Sequence, residues 1–375
     1  MMIRPFLPSS VQAVKWAAGL PLRLLSSHSS HSAADYSEFD SEKRPTSLKA
    51  LYLHLGPGQS TDRLVSQLAG DVIYQSDQDD PHGVVAFNKP PGLAKSGPIS
   101  VEALAQPLAD RLGLARLIPI KCPERHTSGV ALMATNEKSQ QRVLKLLRAA
   151  KASTCLTHNY HVLTNHFPRL QGQADLVEQS IVLIGNRNAE KHGTHKEPII
   201  SRNMTSLSRK ESLKKKRIDP PEKIRVYVQC LAKSGLGPAA LVSIQPSKIR
   251  SMFLRVYMND LLAPIIGDHS FSYRSRSIMG VMTKVSHKQS PPYNPIQVLP
   301  RWIMERIGLN KGEESLVPCM IHLTRFAVPH FFKKDEHLLL FAPYPKYFSK
   351  TAQALGIALK PQEWNDLDQL LYHKV

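Results

Sequence analysis

The chain has 375 residues, of which 42% are hydrophobic and 21% charged, a balance typical of a globular protein with a substantial core. No run approaches the roughly 20 apolar residues that a membrane-spanning helix needs. Lys and Arg number 49 against 30 Asp and Glu, which gives a formal net charge of +19. This excess predicts a polyanionic partner, because Lys and Arg bind phosphate backbones by releasing condensed counterions. The alternative is that part of the excess lies in a removable leader or a disordered insert.

The N-terminal segment differs from the rest of the chain. Residues 1–34 contain no Asp or Glu, while Arg4, Lys15 and Arg23 stand among apolar residues and serines crowd together at the end. A basic, Ser-rich and acid-free leader is typical of a mitochondrial transit peptide. Lys15 and Arg23 also interrupt the apolar stretch that a secretory signal requires. We therefore predict import into the mitochondrial matrix, with cleavage between Leu25 and Ala34.

Two strands and a helix are predicted in the first half of the chain. Gly83–Phe87 is a short apolar run that ends at the turn-forming Pro90-Pro91-Gly92, which favours a buried strand. Val130–Thr135 favours a second strand. Asn136 is a good N-cap for the helix that follows. Apolar residues recur at helical spacing in this helix and predict one inward face: Val143, Leu146, Leu147 and Ala150.

The pattern weakens from 171 to 222 and contains a basic cluster at 208–217. Its last residues, Lys214, Lys215, Lys216 and Arg217, are candidate contacts for RNA. The alternative interpretation is a solvated loop. Strands resume at Ile224–Cys230 and Pro238–Gln245, and the intervening Gly235-x-Gly237 predicts a hairpin turn. Because a strand rather than a helix follows, a dinucleotide-binding loop is disfavoured.

Cysteine and histidine spacing argues against disulfides and metals. The four cysteines are far apart and form no C-x-x-C pair, so buried, unpaired thiols in a reducing compartment are expected. His158, His161 and His166 cluster in one segment, but no carboxylate or cysteine completes a site at suitable spacing. We expect no metal and no cofactor.

Five segments, in order and spacing, resemble the RluA-type pseudouridine synthases, and within that family the mitochondrial synthases. The most informative is Glu124–Gly129, which is similar to the family's His-Arg-Leu-Asp-x-x-Thr-Ser-Gly. The other segments are Val84–Leu93, Thr157–Val162, Arg250–Met258 with Pro264–Asp268, and Ile321–Leu323 with Phe341–Pro345. The resemblance covers about Gly83 to Leu359.

The resemblance implies an α+β fold with a largely antiparallel mixed sheet, flanking helices and a central RNA-binding cleft. It also implies isomerisation of uridine to pseudouridine in mitochondrial rRNA or mRNA, supporting ribosome assembly and translation. RNA-granule proteins are further expected partners. Together with the composition of the N-terminal segment, the resemblance predicts a transit peptide at 1–34, a linker and lead-in with a short helical part at 35–82, a synthase-like domain at 83–360, and a tail at 361–375.

Three residues match the family's catalytic positions. By this match Glu124 attacks or deprotonates the sugar, Tyr160 stacks on the base and helps to deprotonate it, and Arg255, in an apolar strand, orients Glu124. Expected RNA contacts on the matching segments are Lys89, Arg125 and Arg250. Considered without the family, Glu124 could instead form a surface ion pair with Arg125 or have a non-catalytic structural role, and Tyr160 could be a half-buried packing residue.

The chain also departs from the family at the site. Glu124 replaces the catalytic Asp, Cys122 stands where the family has an arginine, and Met252 and Phe253 replace His and Gln. Glu keeps the charge of Asp but carries it one methylene further out, and a displacement of about 1 Å costs on the order of 100-fold in rate. Two hypotheses therefore stay open: an active mitochondrial synthase, or a catalytically degenerate relative that binds RNA as a ribosome assembly factor.

Overall fold

The computed structural model describes residues 47–55, 60–76, 82–172, 174–185, 196–201, 222–250, 252–285, 296–333 and 336–359. The expected transit peptide, the basic cluster at 208–217 and the C-terminal tail at 361–375 lie outside these residues. Within them, no helix is long and apolar enough to cross a membrane.

The described residues form seven helices and thirteen strands. The helices are α1 (Leu48–His54), α2 (Thr61–Gly70), α3 (Ala105–Arg111), α4 (Glu137–Ala152), α5 (Phe253–Asp260), α6 (Arg301–Ile307) and α7 (Lys346–Ala354). The strands are β1 (Val72–Gln75), β2 (Val84–Lys89), β3 (Ile118–Lys121), β4 (Ser128–Ala134), β5 (His158–Thr164), β6 (Ala174–Gly185), β7 (Lys196–Ser201), β8 (Glu222–Lys233), β9 (Ala240–Pro246), β10 (Ser275–Ile278), β11 (Val281–Lys284), β12 (Ile321–Val328) and β13 (Leu338–Phe341).

One large mixed sheet organises the molecule. Its order is β1-β2-β4-β12-β5-β9-β8-β6-β7, with β3 paired to β4 and β13 paired to β12. The pairing of β4 with β12 is parallel, whereas the other paired strands of this sheet run antiparallel. β10 and β11 form a separate hairpin. Apolar side chains pack helices on both sides of the sheet, in two core clusters. This is the α+β, largely antiparallel architecture expected from the sequence.

Several local predictions are confirmed. β2 and β4 are the two predicted strands, and every residue of β4 is buried. The Asn136 side chain accepts a hydrogen bond from the Ser139 N–H and caps α4, whose Val143 and Ala150 face the core. β8 and β9 form the predicted antiparallel hairpin. The expectation that the cysteines are buried is correct for Cys319 and wrong for Cys122, Cys155 and Cys230, which are half-buried.

The segment before Gly83 contributes more than a helical lead-in. α1 and α2 begin at Ser47 and Ser60, whose side chains cap them. The Tyr52 hydroxyl lies 2.6 Å from Thr351 Oγ1 on α7, so α1 is tied to the far end of the chain. β1, which the sequence did not predict, extends the sheet beside β2.

The prediction that Arg255 lies in a strand is wrong, because Arg255 belongs to helix α5. Seven of the eight residues of α5 are buried, Phe253–Asn259. A short segment buried on all sides shows neither the period of a helix nor that of a strand, so its sequence pattern does not distinguish them.

The structure also places strands β6 and β7 in the region where the pattern weakens. Leu176 and Glu178 of β6 are exposed, and among the side chains described from Ala174 to Leu183 only Ile181 and Val182 are buried. The strand therefore lacks the sustained alternation of apolar and polar residues that identifies strands in a sequence.

Gly129 is required where β4 meets β12, and its replacement is expected to destabilise the fold strongly. Its φ is +115°, and an added Cβ would overlap the backbone of Leu323 on β12. Gly129→Ala should lower the free energy of unfolding by about 3 kcal/mol or more, through strain and overlap together. Gly113→Ala is the matched control, because Gly113 has a φ of +68° but open space around it. That variant should lose about 1 kcal/mol. Equal losses in denaturant titrations would contradict the argument.

Candidate active site

Glu124 lies in the short loop that joins β3 to β4. The Thr127 N–H donates to the Glu124 carbonyl at 2.9 Å and closes a turn within this loop. The preceding Cys122 is half-buried, and its thiol donates to the Pro123 carbonyl at 3.3 Å. The Gly92 N–H donates to the Arg125 carbonyl at 2.7 Å and ties the loop to the Pro90–Gly92 turn. The first two matching segments of the sequence are therefore one contiguous structure.

Lys89 holds this structure from inside. It is 0% exposed, and its ammonium donates to the carbonyls of Pro90 and Leu93, each at 2.9 Å. A third carbonyl, that of Arg125, lies at 3.5 Å. Burial lowers the pKa of Lys89 to about 8. In this position Lys89 ties the loop together and does not reach the surface, so its expected contact with RNA is not available in this structure.

Arg255 presents its guanidinium from the buried helix α5. It is 2% exposed, and its Nη1 lies 3.8 Å from Asp268 Oδ1 and 3.4 Å from Ser270 Oγ. Its Nε and Nη2 are buried and have no hydrogen-bond partner. Although burial opposes the charge, Cys319, Asp268 and Glu124 together raise the pKa of Arg255. Arg255 is therefore a cation that still has donors to offer.

Asp268 is the closest acid to Arg255, and sequence reasoning did not include it among the site residues. It is 0% exposed, and its Oδ1 accepts the backbone N–H groups of Ser270 at 3.1 Å and Phe271 at 3.3 Å. Burial raises its pKa, and Arg255 opposes this. The signal that could have found it is general: a buried arginine needs a counter-charge, and Asp268 ends a segment that was already singled out.

Glu124 lies within electrostatic reach of Arg255 and of Lys121. It makes no ion pair of 4 Å or less with another described residue, but it is close enough to Arg255 and Lys121 for both to lower its pKa. Burial is the larger effect and raises the pKa of Glu124, and Asp268 adds to the rise. The positive charge of Arg255 therefore acts on both Glu124 and Asp268, and Asp268 is the acid that lies within 4 Å of it.

Tyr160 completes the group from strand β5. It is 3% exposed, and its ring lies parallel to that of His158 with the centroids 6.1 Å apart. Burial raises its pKa far above the ordinary value, and Glu124 and Cys122 add to the rise. The structure thus brings Glu124, Tyr160 and Arg255 into one electrostatic neighbourhood, from a loop, a strand and a helix far apart in the chain.

A cleft of about 630 Å³ lies beside this group. Glu124, Tyr160 and Arg255 are not among its lining residues. Their chain neighbours and contacts are, including Arg125, His126, Gly267, His269 and Cys319. Arg125 is exposed and its Nε donates to the Gly92 carbonyl at 3.2 Å, so its charge stands at the wall of the cleft.

Arg250 is the one remaining expected RNA contact that the structure describes. Arg250 is exposed, and its Nη1 pairs with Glu222 at 2.7 Å, a carboxylate that Lys248 also contacts at 2.8 Å. Lys214, Lys215, Lys216 and Arg217 lie outside the described residues. The described histidines, cysteines and acids form no group of three or more that could hold a metal ion. The Nδ1 of His158 bonds Thr157 and that of His161 bonds Tyr344, so both imidazoles have side-chain partners.

Two known proteins are similar to the chain in sequence over most of their length. No protein-family model matches the chain. The chain is 27% identical over 306 residues to human "Mitochondrial mRNA pseudouridine synthase RPUSD3", covering 80% of each protein. It is 23% identical over 311 residues to "Pseudouridylate synthase RPUSD4, mitochondrial" of Danio rerio, covering 78% of the chain and 76% of the relative.

Two solved structures share the fold. "Human RNA Pseudouridylate Synthase Domain Containing 4" matches with a TM-score of 0.57 at 20% identity, covering 80% of this chain and 98% of that one. "Human RNA Pseudouridylate Synthase Domain Containing 1" matches with a TM-score of 0.51 at 16% identity, covering 85% and 98%. These comparisons confirm the pseudouridine synthase fold and the resemblance indicated by the sequence motifs.

Proposed function

We propose, from this confirmed resemblance to the RluA-type pseudouridine synthases, that the chain isomerises uridine to pseudouridine in mitochondrial RNA. The observation that carries the proposal is the convergence of Glu124, Tyr160 and the Arg255–Asp268 pair in one neighbourhood. An acid, an aromatic ring and a buried cation are the groups that this isomerisation requires from a protein.

The reaction conserves atoms and needs no co-reactant. The Glu124 carboxylate either attacks C1′ of the ribose or removes the C2′ proton, and the N1–C1′ bond breaks. The detached uracil rotates and C5 forms a bond to C1′, which displaces the carboxylate in the first route and is accompanied by return of the proton to C2′ in the second. The proton on C5 then leaves and N1 gains one, so the product has the same atoms as the substrate. Extrusion of the nucleotide from its stack must come first, because the reacting bonds are not accessible inside a helix.

Each neighbour of Glu124 has a separate part. Arg255 stabilises the carboxylate and the negative charge that develops on the released base, through the Nε and Nη2 donors that no described residue occupies. Asp268 keeps this cation in place. The strongly raised pKa of Tyr160 keeps its phenol protonated at neutral pH, which favours a stacking and hydrogen-bonding role over that of a base.

The RNA and the compartment follow from two independent features. The chain carries an acid-free, Ser-rich leader and a net charge of +19. The relatives named above are mitochondrial, and RPUSD3 is named for mRNA. Both features support our proposal that the reaction takes place in the mitochondrial matrix, on mRNA or rRNA, where it would support ribosome assembly and translation.

The proposal is tested by release of tritium from RNA labelled at C5 of uridine. Forming the C5–C1′ bond expels the C5 hydrogen, so the purified chain should release tritium from mitochondrial transcripts. Label on C6 is the control, because that hydrogen stays in the product. No release from C5 of any mitochondrial transcript, under conditions where the RNA is bound, would contradict the proposal.

Activity should depend on pH through Glu124. The carboxylate must be ionised to act, and burial raises its pKa, so the rate should fall as pH is lowered through a value above the ordinary glutamate pKa. Lys121 lowers the pKa of Glu124. Lys121→Gln should therefore move this acid limb to higher pH in profiles of kcat/KM. A limb that stays in place or moves to lower pH would contradict the assignment.

One observation favours a second candidate function. The short contact of Arg255 goes to Asp268 at 3.8 Å, whereas Glu124 acts on it only from a greater distance. A degenerate synthase that binds RNA as a ribosome assembly factor would show this arrangement. Tight binding of mitochondrial RNA without tritium release would favour that function.

A further inference from the structure

The β10–β11 hairpin ends in an exposed apolar tip. Met279, at the turn, is 100% exposed, and the flanking Ile278 and Val281 are 56% and 55% exposed. β10 and β11 pair along their whole length, from Ser275 opposite Lys284 to Ile278 opposite Val281. Three apolar side chains are thus presented to solvent on a regular hairpin.

The turn itself is unfavourable for methionine. Met279 and Gly280 occupy the two turn positions with φ values of +49° and +80°. A two-residue turn with both φ values positive normally carries Asn-Gly, because Asn tolerates the left-handed region and a long side chain does not. A strained and fully exposed methionine contributes nothing to the core, and such a combination is characteristic of a functional contact.

The base of the hairpin is anchored to the helix that carries Arg255. Ser275 Oγ donates to Asn259 Oδ1 at 2.8 Å, and Asn259 Nδ2 donates to the Arg255 carbonyl at 2.8 Å. On the other strand Lys284 pairs with Asp260. Four residues of strand project about 13 Å at the usual rise per residue. The tip is therefore an apolar extension built on α5.

The sequence around the hairpin is basic. No Asp or Glu occurs from His269 to Met304, whereas this stretch contains five Lys and Arg. Three of the five are held in ion pairs with acids outside the stretch, Arg274 with Glu197, Lys284 with Asp260 and Arg301 with Glu305. Arg276 on β10, another of the five, is exposed. An apolar tip with an exposed arginine on its flank is complementary to RNA, whose phosphates lie outside and whose bases stack inside.

We propose that the hairpin tip Ile278–Val281 inserts between stacked bases of the RNA substrate and opens the stack beside the nucleotide that enters the active site. The proposal deepens the proposed function, since it identifies how the chain engages RNA. Apolar side chains that wedge between base steps unstack them, and extrusion of a nucleotide needs that unstacking. Arg276 would contact the neighbouring phosphates.

The test uses the full chain and an RNA stem-loop with 2-aminopurine next to a loop uridine. Unstacking of 2-aminopurine raises its fluorescence. Met279→Asn removes the apolar side chain and suits the turn, so the fold should be retained. We expect this variant to lose most of the fluorescence rise and to bind RNA about tenfold more weakly, in line with the contribution of stacking on one base.

The salt dependence of RNA binding distinguishes the contribution of Met279 at the tip from that of Arg276 on β10. Met279→Asn removes no charge, so the slope of log affinity against log salt should stay the same, whereas Arg276→Gln should reduce it by about one. Val298→Asn is the matched control, because Val298 is 84% exposed and belongs to neither strand nor the turn of the hairpin. This variant should behave as wild type.

The outcomes distinguish the wedge from the proposed function. Fluorescence and affinity unchanged in Met279→Asn would overturn the wedge, even if tritium release continued. A fluorescence rise that depends on Met279, with no tritium release from any transcript, would support the wedge and contradict the synthase. Loss of binding to anionic lipid vesicles in Met279→Asn, with RNA binding intact, would overturn the proposal in favour of a membrane contact.

Discussion

Replacing Glu124 by Gln is expected to reduce pseudouridine formation by about 10⁴-fold, the scale seen when a catalytic acid or nucleophile is removed. Gln has the same shape and can neither attack C1′ nor accept a proton. Affinity for RNA should stay within about twofold, because the loop is held by backbone bonds to Gly92 and Thr127 rather than by this side chain. Single-turnover rates and RNA titrations on the same preparation measure both quantities.

Glu124→Asp is the informative control for this prediction. It introduces the aspartate that the sequence resemblance implies at this position, so it tests whether the loop of this chain has adapted to glutamate. We expect measurable activity, within about 100-fold of wild type, because the charge is kept and the carboxylate is withdrawn by about one methylene. Full activity in Glu124→Gln would show that this carboxylate takes no part in the reaction.

Replacing Asp268 by Asn is expected to destabilise the chain by about 3–5 kcal/mol, the usual loss when one partner of a buried ion pair is removed. Arg255 is 2% exposed and Asp268 is 0% exposed, so solvent cannot take the place of the missing charge. The Nε and Nη2 of Arg255 already have no hydrogen-bond partner, which increases the penalty. Denaturant unfolding of the single variants measures it.

A double replacement separates stability from chemistry. Arg255→Met with Asp268→Leu removes both charges and leaves apolar groups of similar size, so most of the lost stability should return. Activity should not return, because the cation that faces Glu124 is absent. If the double variant is as unstable as Asp268→Asn, Arg255 and Asp268 do not act as a unit. If the double variant forms pseudouridine, Arg255 takes no part in the mechanism.

The predictable parts of the fold are those with local signals. The apolar runs of β2 and β4, the cap at Asn136 and the turn between β8 and β9 are each encoded within about ten residues, and the structure has them all. β6 and α5 lack such signals. One has no sustained alternation of exposed and buried residues, and the other is buried on every side.

The candidate active site likewise has residues that the sequence indicated and contacts that only the structure shows. Motif order along the chain indicated Glu124, Tyr160 and Arg255, and the fold brings them near each other. The contact between Arg255 and Asp268, and the complete burial of Lys89, depend on how loops pack in three dimensions. No spacing in the sequence reports which of two acids lies closer to an arginine, or which lysine turns inward to backbone carbonyls.

The most direct test of the central claim is pseudouridine mapping of mitochondrial RNA from cells that lack the protein, rescued with wild type or with Glu124→Ala. The synthase account predicts that at least one pseudouridine disappears, that wild type restores it, and that Glu124→Ala does not. If no site depends on Glu124 and both versions restore mitochondrial ribosome assembly equally, the account is contradicted and the chain acts by binding RNA alone.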